Sequence, residues 1–214
     1  MPSRRVPRPP GLRSADFDAD YYRRFYGRRP VHTGEDIAAL VSGVLGLCRW
    51  WDLPIHSVLD VGAGPGYWRD ALPEGTRYLG IDVSVFACAT FGHERRDIAA
   101  WGPRRPFDLV VAQGVLQYLD DEACEAAIAN LTKATRHALY LEVPTRRDRT
   151  ETLDLDCSDT NVFFRSASWY RSRLCPHFEA AGAGLWVRSG VVRLYELERV
   201  SGLSLKPRPV RASG

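Results

Sequence analysis

Three glycines at alternate positions, with a carboxylate two residues ahead of the first, form the stretch with the clearest chemical meaning: Val58-Leu-Asp-Val-Gly-Ala-Gly-Pro-Gly-Tyr-Trp68. Ser57–Val61 reads as a buried strand, and a helix can begin directly after Gly66. Glycine in such a turn lets a bound nucleoside approach the backbone where a Cβ would collide with it. The amides of the turn and of the helix start favour an anionic group. The spacing is Gly-x-Gly-x-Gly and not the Gly-x-Gly-x-x-Gly of dinucleotide-binding folds. Asp60 also argues against a pyrophosphate, because it repels phosphate and attracts a cationic amino group.

Three further segments follow in order. Asp82 closes a second strand, Arg77–Asp82, with Val83 next to it. A carboxylate there accepts hydrogen bonds from two ribose hydroxyls, or it caps a helix starting near Ser84. Arg96-Asp97-Ile98 follows a short third strand. Asp97 suits the exocyclic amine of a purine, and Ile98 suits its ring face. The fourth strand, Phe107–Ala112, runs into Gln113-Gly114 at the carboxyl edge of the sheet, where open α/β folds bind ligands. Tyr118, a few residues on, edges a substrate pocket or packs in the core.

The segments Val58–Trp68, Tyr78–Ser84, Arg96–Ile98 and Phe107–Leu119 together resemble, in order and spacing, the seven-stranded class I S-adenosylmethionine (SAM) dependent methyltransferases. The resemblance covers roughly residues 35–200. It implies SAM as cofactor and S-adenosylhomocysteine (SAH) as product, with methyl transfer by in-line displacement. It also implies that Asp60, Gly62, Ala63, Gly64 and Gly66 line the methionine part. Asp82 and Val83 would take the ribose, Asp97 and Ile98 the adenine, while Gln113 and Gly114 flank the cofactor. The resemblance does not identify an acceptor. A small molecule methylated on oxygen or nitrogen is the leading expectation. A catalytically silent SAM-binding partner protein, or a methyltransferase acting on protein or RNA, is the alternative.

The elements that must position these residues read as an α/β fold. The expectation is a doubly wound, mostly parallel seven-stranded sheet with a C-terminal antiparallel hairpin and helices on both faces. A helix is expected over Glu35–Trp51 behind an N-cap at Thr33, and another over Asp120–Arg136 before a fifth strand at Ala138–Val143. Ser166–Ala181 reads as one helix. Leu185–Arg188 and Val191–Val200 read as two strands turning at Ser189-Gly190. Residues 1–14 and 203–214 read as disordered tails, 15–34 as an aromatic cap or lid, and 35–202 as the methyltransferase domain. Within it, 145–165 is a loop on the substrate side.

No fixed catalytic signature stands out. His32 is a candidate base. Tyr21, Tyr22 and Tyr26 form a lid or an anchor on the sheet, and Tyr118 and Trp169 are candidates for the pocket wall. The 145–165 loop carries Asp154, Asp156, Asp159 and Asn161, which suit a cationic or polyhydroxyl acceptor or a solvated loop. Their spacing lacks the calcium-loop pattern, and no metal is expected. A net charge of +3 is too small to imply nucleic acid. The slot Ala112-Gln-Gly-Val115 lacks the Asn/Asp-Pro-Pro-aromatic run of enzymes that methylate base amines. No apolar run reaches the ~20 residues of a membrane helix. Five cysteines without a CxxC pair read as reduced thiols of a cytoplasmic protein. Trp50, Trp51 and Trp186 are candidate interface aromatics, and the oligomeric state stays open.

Overall fold

Strand β1 (Ser57–Val61) is buried on both faces. Its side chains divide between two cores, with Val58 toward one and Leu59 and Val61 toward the other. Such a strand must lie at the centre of a sheet covered by helices on both sides. β1 pairs in parallel with β2 (Arg77–Asp82) on one side and β4 (Phe107–Gln113) on the other. With β3 (Glu94–Arg95), β5 (Thr135–Glu142), β6 (Phe178–Gly182) and β7 (Leu185–Arg188), the sheet order is β3-β2-β1-β4-β5-β7-β6. The first five strands are parallel, and β7 runs antiparallel to both β5 and β6. This is the doubly wound, seven-stranded α/β architecture expected from the sequence. The computed structural model describes residues 14–200, so apart from Ser14 the tails expected at 1–14 and 203–214 lie outside the described residues.

Helix α2 (Gly34–Trp50) follows α1 (Ala19–Tyr26) and covers one face. Its stripe Ile37, Val41, Val44 and Cys48 packs on Val58, Leu109, Val111 and Ala138. Thr33 caps it in a reciprocal box with Asp36, which satisfies two N-terminal amides. The short α3 (Tyr67–Ala71) places Trp68 in the same cluster. On the far face, α5 (Asp121–Ala134) and α7 (Ala167–Leu174) bury Cys124, Ala127, Leu131, Tyr170 and Leu174 against Leu59, Val110 and Leu139. Two short helices, α4 (Val85–Phe91) and α6 (Asp148–Glu151), complete the set. No helix among the described residues is long and apolar enough to cross a membrane.

Several boundaries differ from the sequence reading. The helix expected over Ser166–Ala181 ends at Leu174, and Phe178–Gly182 is a strand. Pro176 supplies no amide to continue the helix. The closing hairpin therefore joins β6 to β7 and turns at Ala183-Gly184, not at Ser189-Gly190. Ala183 and Gly184 have φ of 47° and 79°, the left-handed pair that a tight hairpin turn requires. The expected strand over Val191–Val200 is absent, and this stretch holds an isolated bridge from Val192 to Ser189 and a 3-10 turn at Glu196–Glu198. β5 also starts earlier than expected, at Thr135, whose hydroxyl donates to the Leu131 carbonyl as α5 ends.

The excursion between β5 and α7 is closed at its neck by a bridge between Thr145 and Arg165. Arg165 is buried and sends its guanidinium to the carbonyls of Leu116 and Leu119, to Asp121 and to the Tyr170 hydroxyl. The Phe163 amide adds a bond to the Gln117 carbonyl at 2.7 Å. Together these contacts fix the 3-10 turn Leu116–Tyr118, which carries Gln117 and Tyr118 to the sheet edge. Arg165→Ala removes the guanidinium bonds to the Leu116 and Leu119 carbonyls, to Asp121 and to the Tyr170 hydroxyl. It is expected to lower the unfolding free energy by about 2–4 kcal/mol in urea denaturation. A loss below about 1 kcal/mol would contradict this bracing role.

Candidate functional site

The carboxyl edge of the sheet opens into a cavity of about 680 Å³. Its floor is the turn after β1. Gly62, Gly64 and Gly66 have φ of 65°, 53° and 85°, a region that side chains other than glycine's avoid. The turn is tied to β2 by bonds from the Gly62 and Ala63 amides to the Ile81 carbonyl, at 2.8 and 3.1 Å. The Gly64 amide donates to an Asp82 carboxylate oxygen at 3.1 Å, and a ring nitrogen of the buried His93 meets the Gly64 carbonyl at 3.0 Å. A Cβ on Gly62 would sit 2.4 Å from a Val115 methyl, so alanine cannot be accommodated there without rearrangement.

Asp60 lines the cavity and is 3% exposed. Burial pushes its carboxyl up to about 7, against the opposing hydrogen bond from the Tyr78 hydroxyl at 2.9 Å. A buried carboxylate beside a backbone cradle bare of side chains fits an α-ammonium group carried on a nucleoside. The donor set therefore suits the methionine end of SAM.

The structure gathers most, but not all, of the residues singled out in the sequence. Asp60, Gly62, Ala63, Gly64, Gln113, Gly114, Tyr118, Tyr21, Tyr26 and His32 share the cavity wall. Gly66, Asp82, Val83, Asp97 and Ile98 stand outside it. Asp82 is buried and receives the Ser84 amide at 2.8 Å as well as that of Gly64. The N-terminal segment lies over this end of β2. The Ser84 hydroxyl donates to the Phe17 carbonyl at 2.5 Å, and Tyr22 is buried against Tyr26, Phe86 and Phe91 rather than in the cavity wall. Asp97 is exposed and accepts from the Ala99 amide, while Ile98 belongs to the core. Trp169, expected in the pocket wall, is not there. It lies under the guanidinium groups of Arg165 and Arg173, 4.8 and 3.7 Å from its ring centroid.

Glu142, the last residue of β5, anchors a polar network at the opposite end of the cavity. Its carboxylate receives the Gln113 carboxamide at 3.2 Å and the Tyr140 hydroxyl at 3.1 Å, and it pairs with His32 Nε2 at 3.4 Å. Trp68 donates to the other end of Gln113 at 2.8 Å, which fixes that carboxamide's orientation. Glu142 raises the pKa of His32, and partial burial of the ring only partly offsets this. Burial alone would raise Glu142, but the bonds from His32, Tyr140 and Gln113 outweigh it and hold the carboxyl below its usual range. Beside this network, the hydroxyls of Tyr21 and Tyr118 share a hydrogen bond of 2.7 Å. Burial pushes Tyr21 up to about 12 and Tyr118 higher still, so both hydroxyls are neutral at physiological pH.

Four residues of the site were not singled out from the sequence. Glu142 had an available signal, because it ends a strand at the same edge as Gln113. His93, Gln117 and Trp68 reach the site only through tertiary packing.

A family model described as a methyltransferase domain matches residues 21–185. No curated protein matches the chain in sequence. Among solved structures, the magnesium protoporphyrin IX methyltransferase of Synechocystis PCC 6803, crystallised with SAH, is similar at 21% identity with a TM-score of 0.60. The match covers 81% of this chain and 96% of that one. DesVI of Streptomyces venezuelae is similar at 17% identity and a TM-score of 0.58, covering 79% and 97% of the two chains. A SAM-dependent methyltransferase from Archaeoglobus fulgidus is similar at 17% identity and a TM-score of 0.55, covering 76% and 78%. At these identities the solved structures speak for the fold, whereas the family model spans the larger part of the chain. The protein belongs to the methyltransferase-domain family, as a SAM-dependent methyltransferase on the class I Rossmann-like sheet.

Proposed function

We propose that the protein methylates a small-molecule acceptor bound in the cavity between the glycine turn and the 145–165 segment. The observation that carries this reading is the sharing of one cavity by Asp60, the glycine turn and the His32–Glu142 pair. Its volume of about 680 Å³ suits small ligands. The Synechocystis relative in fold methylates a small molecule, magnesium protoporphyrin IX, by its name.

In this reading Asp60 receives the cofactor's ammonium, and Gly62, Ala63, Gly64 and Gly66 pass along its amino-acid part. Asp82 and Val83 take the ribose, Asp97 and Ile98 the adenine, and Gln113 and Gly114 the flank. When bound, SAM supplies an electrophilic methyl on a good leaving group. The chain's own task is to align the acceptor, exclude water and move a proton. His32 takes the acceptor's proton. Glu142 orients the ring and compensates the imidazolium that forms, so it acts as a positioning residue. Residues 15–34 serve as the lid. Phe17 and Tyr22 lie over the end of β2, so this segment shifts when a ribose reaches Asp82. The five free cysteines support a reducing, cytoplasmic setting.

Three outcomes test the reading. Asp60 pairs with an ammonium only when ionised, and its carboxyl titrates at about 7. The Kd for SAH, measured by calorimetry, is therefore expected to fall as pH rises from about 6 to 8, by up to about tenfold per unit below the pKa. Asp60→Asn should flatten this dependence, and a wild-type Kd that is constant over the window would contradict the pairing. His32→Gln is expected to lower kcat by about 10²-fold or more in a labelled-methyl assay while SAH affinity stays within about twofold. Because Glu142 raises the His32 pKa, Glu142→Gln should lower it in a histidine NMR titration. An unchanged His32 pKa would sink the assignment of Glu142.

A further inference from the structure

The charges around the cavity are one-sided. Five acidic residues line it: Asp60, Glu142, Asp148, Asp154 and Asp159. The chain has 29 lysines and arginines, yet among the described residues none lines this cavity, and His32 is its one basic side chain. Asp60 sits at the glycine turn and Glu142 is held by His32. Asp148, Asp154 and Asp159 belong to the excursion that closes the acceptor side. None of these three has an ion-pair partner within 4 Å among the described residues. Asp159 lies close enough to the Tyr21 and Tyr118 hydroxyls to oppose their ionisation.

A second observation is independent of the carboxylates. Gln117 lines the same cavity, is only 7% exposed, and its Oε1 has no hydrogen-bond partner. A buried carboxamide oxygen without a donor is costly unless a ligand supplies one. The remaining wall is aromatic, with Tyr21, Phe25, Tyr26, Tyr67 and Tyr118, and aromatic ring faces attract cations.

We propose that the methyl acceptor is an amine, drawn in as its ammonium by Asp154 and Asp159, with one N–H donated to Gln117 Oε1. A carboxylate acceptor would meet like charge on this wall, and a neutral hydroxyl would bring no counter-charge to Asp159, whereas Arg29, outside the cavity lining, already supplies part of one at Asp154. The inference rests on the methyltransferase reading given above. An aliphatic ammonium, with a pKa of ~10, must lose a proton before it can attack. That proton passes to His32, whose positive charge Glu142 then compensates. The nitrogen lone pair forms the new N–CH3 bond as the C–S bond breaks and its electron pair returns to sulfur. The products are SAH and the N-methylammonium.

The test uses the full chain loaded with SAH and three probes of one shape: 2-phenylethylamine, 2-phenylethanol and 3-phenylpropanoate. Calorimetry is expected to show the amine binding at least about tenfold more tightly than either other probe. The double variant Asp154→Asn, Asp159→Asn keeps the local turns, and it should lose that preference while SAH affinity is unchanged. A parallel screen of small amines, alcohols and carboxylic acids with labelled SAM should place the label on nitrogen. Equal or tighter binding of the alcohol or acid, absence of any amine preference, or label on oxygen overturns the amine assignment. SAH would still bind in those cases, leaving the methyltransferase reading intact. Failure of SAH itself to bind the folded protein overturns both.

Discussion

The amides of Gly62, Ala63 and Gly64 point back at the end of β2, where the Ile81 carbonyl and the Asp82 carboxylate receive them. This tie holds the chain in a turn that leaves β1 through left-handed glycines, with only the small Ala63 and Pro65 side chains at the cavity, and the rest of the site depends on it. A free turn would neither hold the cradle open nor keep Asp60 buried beside it. The same carboxylate also receives the Ser84 amide. The turn after β1 and the start of α4 are thus fastened to one residue, and the His93 contact with the Gly64 carbonyl secures the turn from its other side.

Around that fixed floor, the walls come from segments that the parallel sheet does not itself require. The N-terminal segment brings Tyr21, Tyr26 and His32. The excursion after β5 brings Asp154 and Asp159. Arg165 couples this excursion to the turn after β4 by donating to Leu116 and Leu119 from the far end of the loop. The division has a physical sense. The glycine turn is pinned to β2 by the Ile81 carbonyl and the Asp82 carboxylate, and to His93 on its other side. The other walls consist of side chains on loops, where shape and charge can differ between proteins with the same sheet. Glu142 stands at the junction. It ends a strand but reaches across to His32 on the N-terminal segment, so a ring on that segment is oriented by a group on the sheet.

Legibility in the sequence followed the range of the interactions. The glycine turn, β1, β2, β4, α2 and the Thr33 cap were readable because spacing and capping are local properties. The closing hairpin was misplaced because Ala183-Gly184 and Ser189-Gly190 both offer a glycine turn between apolar runs. The choice between them rests on burial that only the folded sheet supplies. Leu185, Trp186 and Val187 bury against it, whereas Leu197 and Tyr195 are exposed. Trp169 failed as a pocket residue because Arg165 and Arg173, four residues to either side of it, stack on its ring and hold it away from the cavity. Gln117 and His93 owe their places to tertiary packing that no local pattern records. Glu142 was overlooked because its strand was read as running on to Val143, which places Glu142 inside the strand rather than at its end.

The central claim is that a cradle of bare backbone beside a buried carboxylate selects SAM over a dinucleotide. Calorimetric titration of the purified, folded protein with SAH, and separately with NAD and NADP, tests it most directly. SAH is expected to bind with a Kd on the order of micromolar, with no response to either dinucleotide. No SAH binding, or dinucleotide binding of comparable strength, would contradict it.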